Sequence, residues 1–180
     1  MLPDAQMGFR RGMSTTRAVG LLLNHIEEAL QKHNKLYAVF VDFTKAFDLM
    51  DRGMIMAKVE DLLGIENVWT NIIRAILKYN TIQISDGLKI SKPITQTNGV
   101  LQGDPLSPLL FIIAAEGMIR SLEEAGEDIH MYAYADDIVI AATHMDKLQN
   151  AITTIEDWCK KHSFYINTPK TEIMVFRNSG

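Results

Sequence analysis

Apolar stretches alternate along the chain with short polar segments, and their spacing predicts a regular series of helices and strands. Residues 14–32 place apolar side chains three and four positions apart, which predicts an amphipathic helix capped by Ser14. The run 36–43 is rich in Val, Phe and Tyr and predicts a largely buried strand. Further helices are predicted over 52–63, 68–79, 107–125 and 145–162, and further strands over 81–85, 131–134, 138–142 and 173–176.

The order of these elements predicts the fold class. Two strand-like runs flank Ala135, Asp136 and Asp137, so a hairpin with acidic residues at its turn is expected. The series of strand, helices, hairpin, helix and final strand is typical of an α+β fold. In such a fold, helices can cover one face of a small antiparallel sheet.

Composition limits the classes of protein that need be considered. The chain has 180 residues, of which 47% are hydrophobic and 22% charged, as in a single folded domain. It has no apolar run near the roughly 20 residues of a membrane span, and no signal peptide is apparent at its start. We therefore expect a protein of the nucleus or cytoplasm that is neither secreted nor membrane-bound. The lone Cys159 excludes an internal disulfide.

Adjacent Asp136 and Asp137 are the first candidate for chemistry. Two neighbouring acids repel each other, and aspartate is disfavoured in strands. They could be solvated residues of a tight turn, or they could bind a hard divalent cation that removes the repulsion. Spacing alone leaves both interpretations open.

Asp42 lies near the end of another apolar strand, where a surface role is harder to assign. If that strand neighbours the hairpin, Asp42 and Asp136 could converge at one end of the sheet. Polymerases use several shared carboxylates to hold two metal ions roughly 3.5–4 Å apart. The alternative is a buried aspartate satisfied by backbone donors.

Five segments in order resemble the conserved motifs of reverse transcriptases. Tyr-Ala-Asp-Asp at 134–137 matches the Tyr-x-Asp-Asp box, and Val-Asp-Phe-Thr-Lys-Ala-Phe-Asp at 41–48 matches the first catalytic motif. Segment 99–111 resembles the second conserved block, and 166–172 resembles the block after the hairpin. Segment 6–16 resembles the stretch before the palm. The residues of these motifs are most similar to those in reverse transcriptases of non-LTR retrotransposons.

The resemblance implies a fold, an activity and a metal site. The fold would be a polymerase palm, an antiparallel sheet of the RRM or ferredoxin-like type with helices packed on one face. The activity would be RNA-directed DNA polymerisation from an RNA template, a DNA primer and dNTPs. Asp42, Asp136, Asp137 and the backbone carbonyl of Phe43 would hold two Mg²⁺ ions, for which Mn²⁺ could substitute.

The same resemblance implies a nucleotide-binding group. Phe47 matches the aromatic steric gate that rejects a ribose 2′-hydroxyl, although a core phenylalanine would look the same in sequence. Gln102 and Gly103 match the block that lines the incoming nucleotide, and the alternative is an ordinary loop before a helix. Phe47 also argues against a viral RNA-dependent RNA polymerase, in which an acid would be expected there.

Four more residues acquire roles from the resemblance. Lys170 matches a proposed general acid for the pyrophosphate leaving group, and otherwise it is a solvated lysine. Tyr134 is expected to pack near the primer end. Arg10 and Arg11 border the template channel in the family, and the alternative is a solvated patch.

Parts of the family pattern are not matched. We expect residues 1–35 to be a remnant of the fingers and residues 36–180 to be the palm, with fingers and thumb largely absent. The net charge of −4 fits a palm without the basic clamps of those parts. The isolated chain is expected to have little activity and to self-associate through exposed apolar surface. The competing hypothesis is a domesticated, non-catalytic domain that binds RNA or a protein.

Overall fold

A computed structural model describes residues 2–126 and 128–178, and six helices and six strands lie within this part of the chain. In chain order they are α1 (Thr15–His33), β1 (Lys35–Val41), α2 (Ala46–Leu49), α3 (Arg52–Leu63), α4 (Val68–Lys78), β2 (Thr81–Ile82), β3 (Ile94–Thr95), α5 (Ser107–Glu123), β4 (Ile129–Tyr134), β5 (Asp137–Ala142), α6 (Met145–His162) and β6 (Glu172–Arg177). Among the described residues, no helix is long and apolar enough to cross a membrane.

The ends of helix α1 follow from local chemistry. The Ser14 hydroxyl accepts a hydrogen bond from the Arg17 amide at 3.2 Å and so satisfies one of the free donors of the first turn. At the other end Asn34 adopts a left-handed φ of 62°, and its N–H donates to the Leu30 carbonyl. The predicted helix and its cap are therefore confirmed.

The main sheet has four antiparallel strands in the order β4-β5-β1-β6. Strands β4 and β5 form the expected hairpin, and β1 lies beside β5 in the centre of the sheet. This order places the end of β1, which Asp42 directly follows, next to the turn between β4 and β5. The convergence expected of Asp42 and the paired acids depends on that neighbourhood.

Helix α1 packs on one face of this sheet. Ile26 and Ala29 form a buried cluster with Leu36 and Ala38 of β1 and with Ala141 of β5. Because side chains of a strand alternate between faces, Leu36 and Ala38 mark one face of β1 and Val39 marks the other.

The opposite face is covered by helix α6. Val39, Val41 and Ile140 line an apolar cavity of about 210 Å³ together with Ile152 and Ile155 of α6. The predicted α+β class is confirmed, with one difference: helices cover both faces of the sheet. The physical reason is that β1 carries apolar side chains on both faces, so each face requires a partner.

The chain forms two compact units. The first comprises Met1–Ala46 and Ala115–Gly180 and contains the main sheet with α1 and α6. The second comprises Phe47–Ala114 and contains α3, α4 and the short β2-β3 hairpin. The predicted division into fingers remnant and palm at residue 35 stays a prediction.

The Arg52 side chain links three backbone segments of the second unit by hydrogen bonds. Within it, the Arg52 guanidinium donates to the backbone carbonyls of Gly99 (2.8 Å), Gln96 (2.5 Å) and Leu77. Three carbonyls from separate segments thus share one cation, and partial burial lowers the pKa of Arg52.

Candidate active site

The register of the central strands brings Asp42 to the acidic hairpin. The last pair in the β1-β5 ladder is Val41 opposite Ile138. Continuing this antiparallel register by one residue sets Asp42 opposite Asp137. Directly opposed residues of neighbouring strands have their Cβ atoms about 4.5–5.5 Å apart. The sequence predicted that Asp42 meets Asp136, whereas this register sets Asp137 opposite Asp42, with Asp136 next to it in the turn.

The turn between β4 and β5 consists of Ala135 and Asp136. Tyr134 and Asp137 are the last paired residues of the hairpin, so two residues close the loop. Ala135 adopts a φ of 58°, which residues with a Cβ rarely accept, and it is buried. Asp136 therefore lies in a tight and conformationally restricted turn, and Asp137 directly follows it as the first residue of β5.

The electrostatics of the site are those of crowded acids. Partial burial raises the pKa of Asp137, and the neighbouring carboxylates of Asp136 and Asp42 raise it further. The charges of Asp136 and Asp42 thus act on the Asp137 carboxyl group. A bound divalent cation would remove this repulsion, which supports the metal interpretation over two solvated turn acids.

Asn167 is a site residue that the sequence reasoning missed. Its side-chain amide donates to Oδ2 of Asp42 at 2.8 Å, and its backbone N–H donates to the Asp42 carbonyl at 2.8 Å. The Thr171 hydroxyl accepts a hydrogen bond from the Asp42 backbone N–H at 3.3 Å. Both partners lie in the 166–172 block, so the motif held the signal, but only the pairing reveals which residue touches Asp42.

The next residue, Phe43, is fixed from the same block. It forms an isolated antiparallel bridge with Ile166, and the flanking Thr44 N–H donates to the Tyr165 carbonyl at 2.8 Å. The buried Phe43 ring meets Phe164 edge to face, with centroids 5.9 Å apart. The backbone at the proposed carbonyl ligand is thereby held in position.

The donor set fits Mg²⁺ better than a metal that needs a closed cage. Within residues 2–126 and 128–178, no three His, Cys, Asp or Glu side chains lie together as a group that could hold a metal ion by themselves. Mg²⁺ usually binds through one or two carboxylates, with waters and substrate phosphates completing its shell. Asp42, Asp136 and Asp137 at one edge are suited to that mode of binding.

The nucleotide-binding candidates lie in the second unit. Phe47 is partly buried and stacks on Phe111 with ring centroids 4.6 Å apart. The exposed Gln102 donates to the Asp48 carboxylate at 3.0 Å, and the exposed Gly103 adopts a φ of 92°. These three are brought into one unit, while the aspartates lie in the other.

Gly99, within the same block, was not singled out from the sequence. It has a φ of 69°, and a Cβ added there would clash with the backbone of Asp48 and Phe47. Its N–H donates to the Met50 carbonyl at 2.8 Å. A close backbone approach thus explains this glycine.

The two arginines of the 6–16 segment occupy different settings. The Arg10 guanidinium donates to the Pro3 and Gln6 carbonyls at 2.8 and 2.9 Å and lies 3.6 Å from the Asp4 carboxylate. Arg11 is exposed. Arg10 therefore organises its own segment, and Arg11 is the more available cation.

Tyr134 precedes the Asp136-Asp137 pair in sequence, and Lys170 follows it. Tyr134 lines an apolar cavity of about 180 Å³ together with Asp137, Tyr132 and residues of α1. Lys170 is exposed, and its N–H donates to the carbonyl of Asn167, the residue that binds Asp42.

Comparison with known proteins agrees with the motifs. The family model described as reverse transcriptase (RNA-dependent DNA polymerase) matches residues 1–179. A probable RNA-directed DNA polymerase from transposon BS of Drosophila melanogaster is 29% identical, over 95% of this chain and 20% of that protein. A Pol polyprotein from the type-1 retrotransposable element R2 of Popillia japonica is also 29% identical, over 99% of this chain and 26% of that protein. The chain thus spans about a fifth to a quarter of these curated relatives.

Solved structures share the fold. A telomerase of Candida tropicalis in complex with a fragment of telomeric RNA superposes with a TM-score of 0.77 at 16% identity, covering 95% of this chain and 30% of that one. The apo telomerase of the same organism, truncated from its C-terminal domain, gives a TM-score of 0.75 at 17% identity, covering 98% and 37%. At this identity the likeness shows the fold alone. Motifs, family match and fold together establish that the chain belongs to the reverse transcriptase family, whose enzymes are nucleotidyltransferases.

Proposed function

We propose that this chain is the catalytic palm of an RNA-directed DNA polymerase that extends a DNA primer on an RNA template with dNTPs. The observation that carries the proposal is the β1-β5 register, which continues to set Asp42 opposite Asp137, beside the turn residue Asp136. The raised pKa of Asp137 supports it, because a structural turn would have no need to gather three acids.

The three aspartates would bind two Mg²⁺ ions, with the Phe43 carbonyl as a further ligand and Mn²⁺ as a possible substitute. When bound, such ions activate the attacking primer hydroxyl and neutralise charge on the leaving pyrophosphate. Asn167 would keep the Asp42 carboxylate oriented through its 2.8 Å hydrogen bond. Lys170, in the segment that follows Asn167, would donate a proton to the pyrophosphate.

Nucleotide selection would fall to the second unit. The stacking of Phe47 on Phe111 restrains the ring, as a steric gate against a 2′-hydroxyl requires. Gln102 and Gly103 are exposed and so are accessible to an incoming nucleotide and templating base. A structural role for Phe47 is compatible with this one, because a partly buried ring can pack on Phe111 and also exclude a 2′-hydroxyl.

Primer and template contacts are assigned by exposure and chemistry. The Tyr134 cavity beside Asp137 offers an apolar surface for the primer end. The exposed Arg11 is suited to a template phosphate, whereas Arg10 is bonded to Pro3 and Gln6 and would act by shaping the segment.

The test is single-nucleotide addition to a DNA primer on an RNA template, in Mg²⁺ and in Mn²⁺. Because the isolated chain is expected to have little activity, we expect a small yield of product that the Asp136→Ala variant does not make. The Phe47→Ala variant should raise the ratio of ribonucleotide to deoxyribonucleotide added. A wild-type chain that makes no more product than Asp136→Ala, yet retains RNA in a binding assay, would instead favour a non-catalytic RNA-binding domain.

A further inference from the structure

The acidic turn requires a positive φ at its first residue, and this residue is an alanine rather than a glycine. Ala135 has a φ of 58°, in the left-handed region where a Cβ is crowded, and it is only 7% exposed. Because Ala135 directly precedes Asp136, its backbone sets the direction in which both aspartates leave the hairpin. A stabilising contact from outside the turn would offset the cost that the Cβ of Ala135 incurs.

That stabilising contact comes from Gln6, a polar side chain only 1% exposed. Its Nε2 donates to the Ala135 carbonyl at 3.1 Å, and its Oε1 accepts the Ala135 N–H at 2.9 Å. The same Oε1 accepts the Gly8 N–H at 2.8 Å. One primary amide thus satisfies both backbone polar groups of the strained residue, which a carboxylate or an apolar side chain of that size cannot do.

The backbone around Gln6 fixes this amide in place. The Met7 N–H donates to the Ala133 carbonyl at 2.7 Å, and the Ala133 N–H donates to the Ala5 carbonyl at 2.9 Å. These bonds form a parallel bridge along β4, the edge strand of the hairpin. A Cβ added at Gly8 would clash with the Ala135 nitrogen, so only glycine permits this approach.

We propose that Gln6 is a positioning residue of the metal site: its side-chain amide holds the Ala135-Asp136 turn in the conformation that presents Asp136 and Asp137 to divalent cations. The proposal rests on the proposed function, since it assigns a role to Gln6 at that same site. The loss of a buried glutamine with only a structural role would lower stability without changing metal affinity.

The experiment measures Mn²⁺ binding by electron paramagnetic resonance of the free ion, with wild-type chain, Gln6→Met and Gln6→Asn. Gln6→Met keeps the shape and removes the hydrogen bonds, and Gln6→Asn keeps an amide whose reach is one methylene shorter. Folding of each variant is checked by circular dichroism. We expect both to bind Mn²⁺ about 10-fold more weakly than wild type, as for other residues that orient ligands.

The matched control is Thr70→Val in the second unit. Thr70 is also fully buried, and its hydroxyl donates to the Gly64 carbonyl at 2.8 Å. Its loss should reduce thermal stability while leaving Mn²⁺ affinity within about twofold of wild type, because no ligand is reoriented. If Gln6→Met does not fold, Gln6→Asn carries the same comparison.

A second background tests the cause. Glycine at residue 135 accepts a positive φ without help, so Gln6→Met should weaken Mn²⁺ binding less in the Ala135→Gly background than in wild type. Wild-type affinity in both Gln6 variants would overturn the positioning role while leaving the metal site intact. If wild type and Asp136→Ala bind Mn²⁺ equally, the metal site fails, and the role of Gln6 fails with it.

Discussion

Neighbouring negative charges act on the Asp137 carboxyl group. Burial and the charges of Asp136 and Asp42 raise its pKa, so the metal-free fold carries unrelieved repulsion at neutral pH. Asn167 orients the neighbouring Asp42, because its side-chain amide donates a hydrogen bond to Oδ2 of that carboxylate at 2.8 Å. Repulsion at Asp137 and orientation of Asp42 are the two features that the proposed cation site would use.

Replacing Asp137 by asparagine should stabilise the metal-free chain. The raised pKa means that the folded state keeps the proton to higher pH than the unfolded state, so stability is lost as pH rises above the ordinary value of 3.8. Solvent screens a partly exposed charge, so we expect a gain of about 0.2–0.5 kcal/mol at pH 7 and a rise of about 0.4–2 °C in Tm.

The measurement is thermal unfolding in EDTA at pH 7 and at a pH well below the ordinary pKa of 3.8, with Asp61→Asn on α3 as the control for the loss of one charge. The advantage of Asp137→Asn should vanish at the acidic pH, where Asp137 is protonated in both states. A destabilised variant at pH 7 would show that the carboxylate makes a favourable structural contact instead.

Replacing Asn167 by alanine should weaken metal binding through Asp42. The variant loses the donor to Asp42 Oδ2 while its backbone bond to the Asp42 carbonyl can persist. We expect Mn²⁺ affinity to fall by about 10-fold, measured by calorimetric titration. Thr168→Ala, in the same segment, is the neighbouring control, and an equal loss there would point to a general disturbance of the segment.

At the scale of elements, hydrophobic periodicity predicted most of the fold. Helices α3 and α6 have the predicted limits. The start of α3 carries a clear signal, because the Asp51 side chain accepts the Met54 N–H. The strand predicted over 81–85 is reduced to Thr81–Ile82, and the short helix Ala46–Leu49 was not expected. Short elements have too few residues for a period to emerge.

Contacts distant in sequence account for what the pattern could not predict. Gln6 and Ala135 are 129 positions apart, and Asn167 and Asp42 are 125 apart. Propensity carries no information on such pairs, so the motifs located the aspartates but not the residues that hold them. Residue roles in catalysis stay predictions drawn from the resemblance.

The loop before helix α5 should depend on glycine at position 99. Alanine there must adopt a φ near 69° and overlap the Asp48 backbone. We expect Gly99→Ala to cost about 2–5 kcal/mol, measured by urea unfolding. The contrasting variant is Gly20→Ala in α1, where an added Cβ meets nothing within 4 Å. That change should stabilise the chain by about 0.5–1 kcal/mol, and equal effects of the two would refute the steric explanation.

At the scale of the whole molecule, acidic charge and exposed apolar surface shape behaviour in solution. The net charge is −4, and the carboxylates of the site contribute to it. On α4 and its cap, one stripe of apolar residues is exposed: Trp69 63%, Ile72 42%, Ile76 45% and Tyr79 72%. Contiguous apolar surface of this kind promotes association in water.

We therefore expect the isolated chain to self-associate as its concentration rises. The double substitution Trp69→Gln and Ile76→Gln should shift sedimentation velocity profiles toward the monomer, because it removes two apolar members of the stripe. Leu23→Gln on α1, which is similarly exposed at 53%, is the control and should change little. A wild-type chain that stays monomeric at all concentrations would contradict this expectation.

The central claim is that Asp42, Asp136 and Asp137 form one divalent-cation site. The most direct measurement is a Mn²⁺ titration of the wild-type chain and Asp136→Ala, followed by electron paramagnetic resonance, with Asp61→Asn as the charge control. Saturable binding by wild type and Asp61→Asn, and binding at least about 10-fold weaker by Asp136→Ala, is the predicted result. Equal binding by wild type and Asp136→Ala would contradict it.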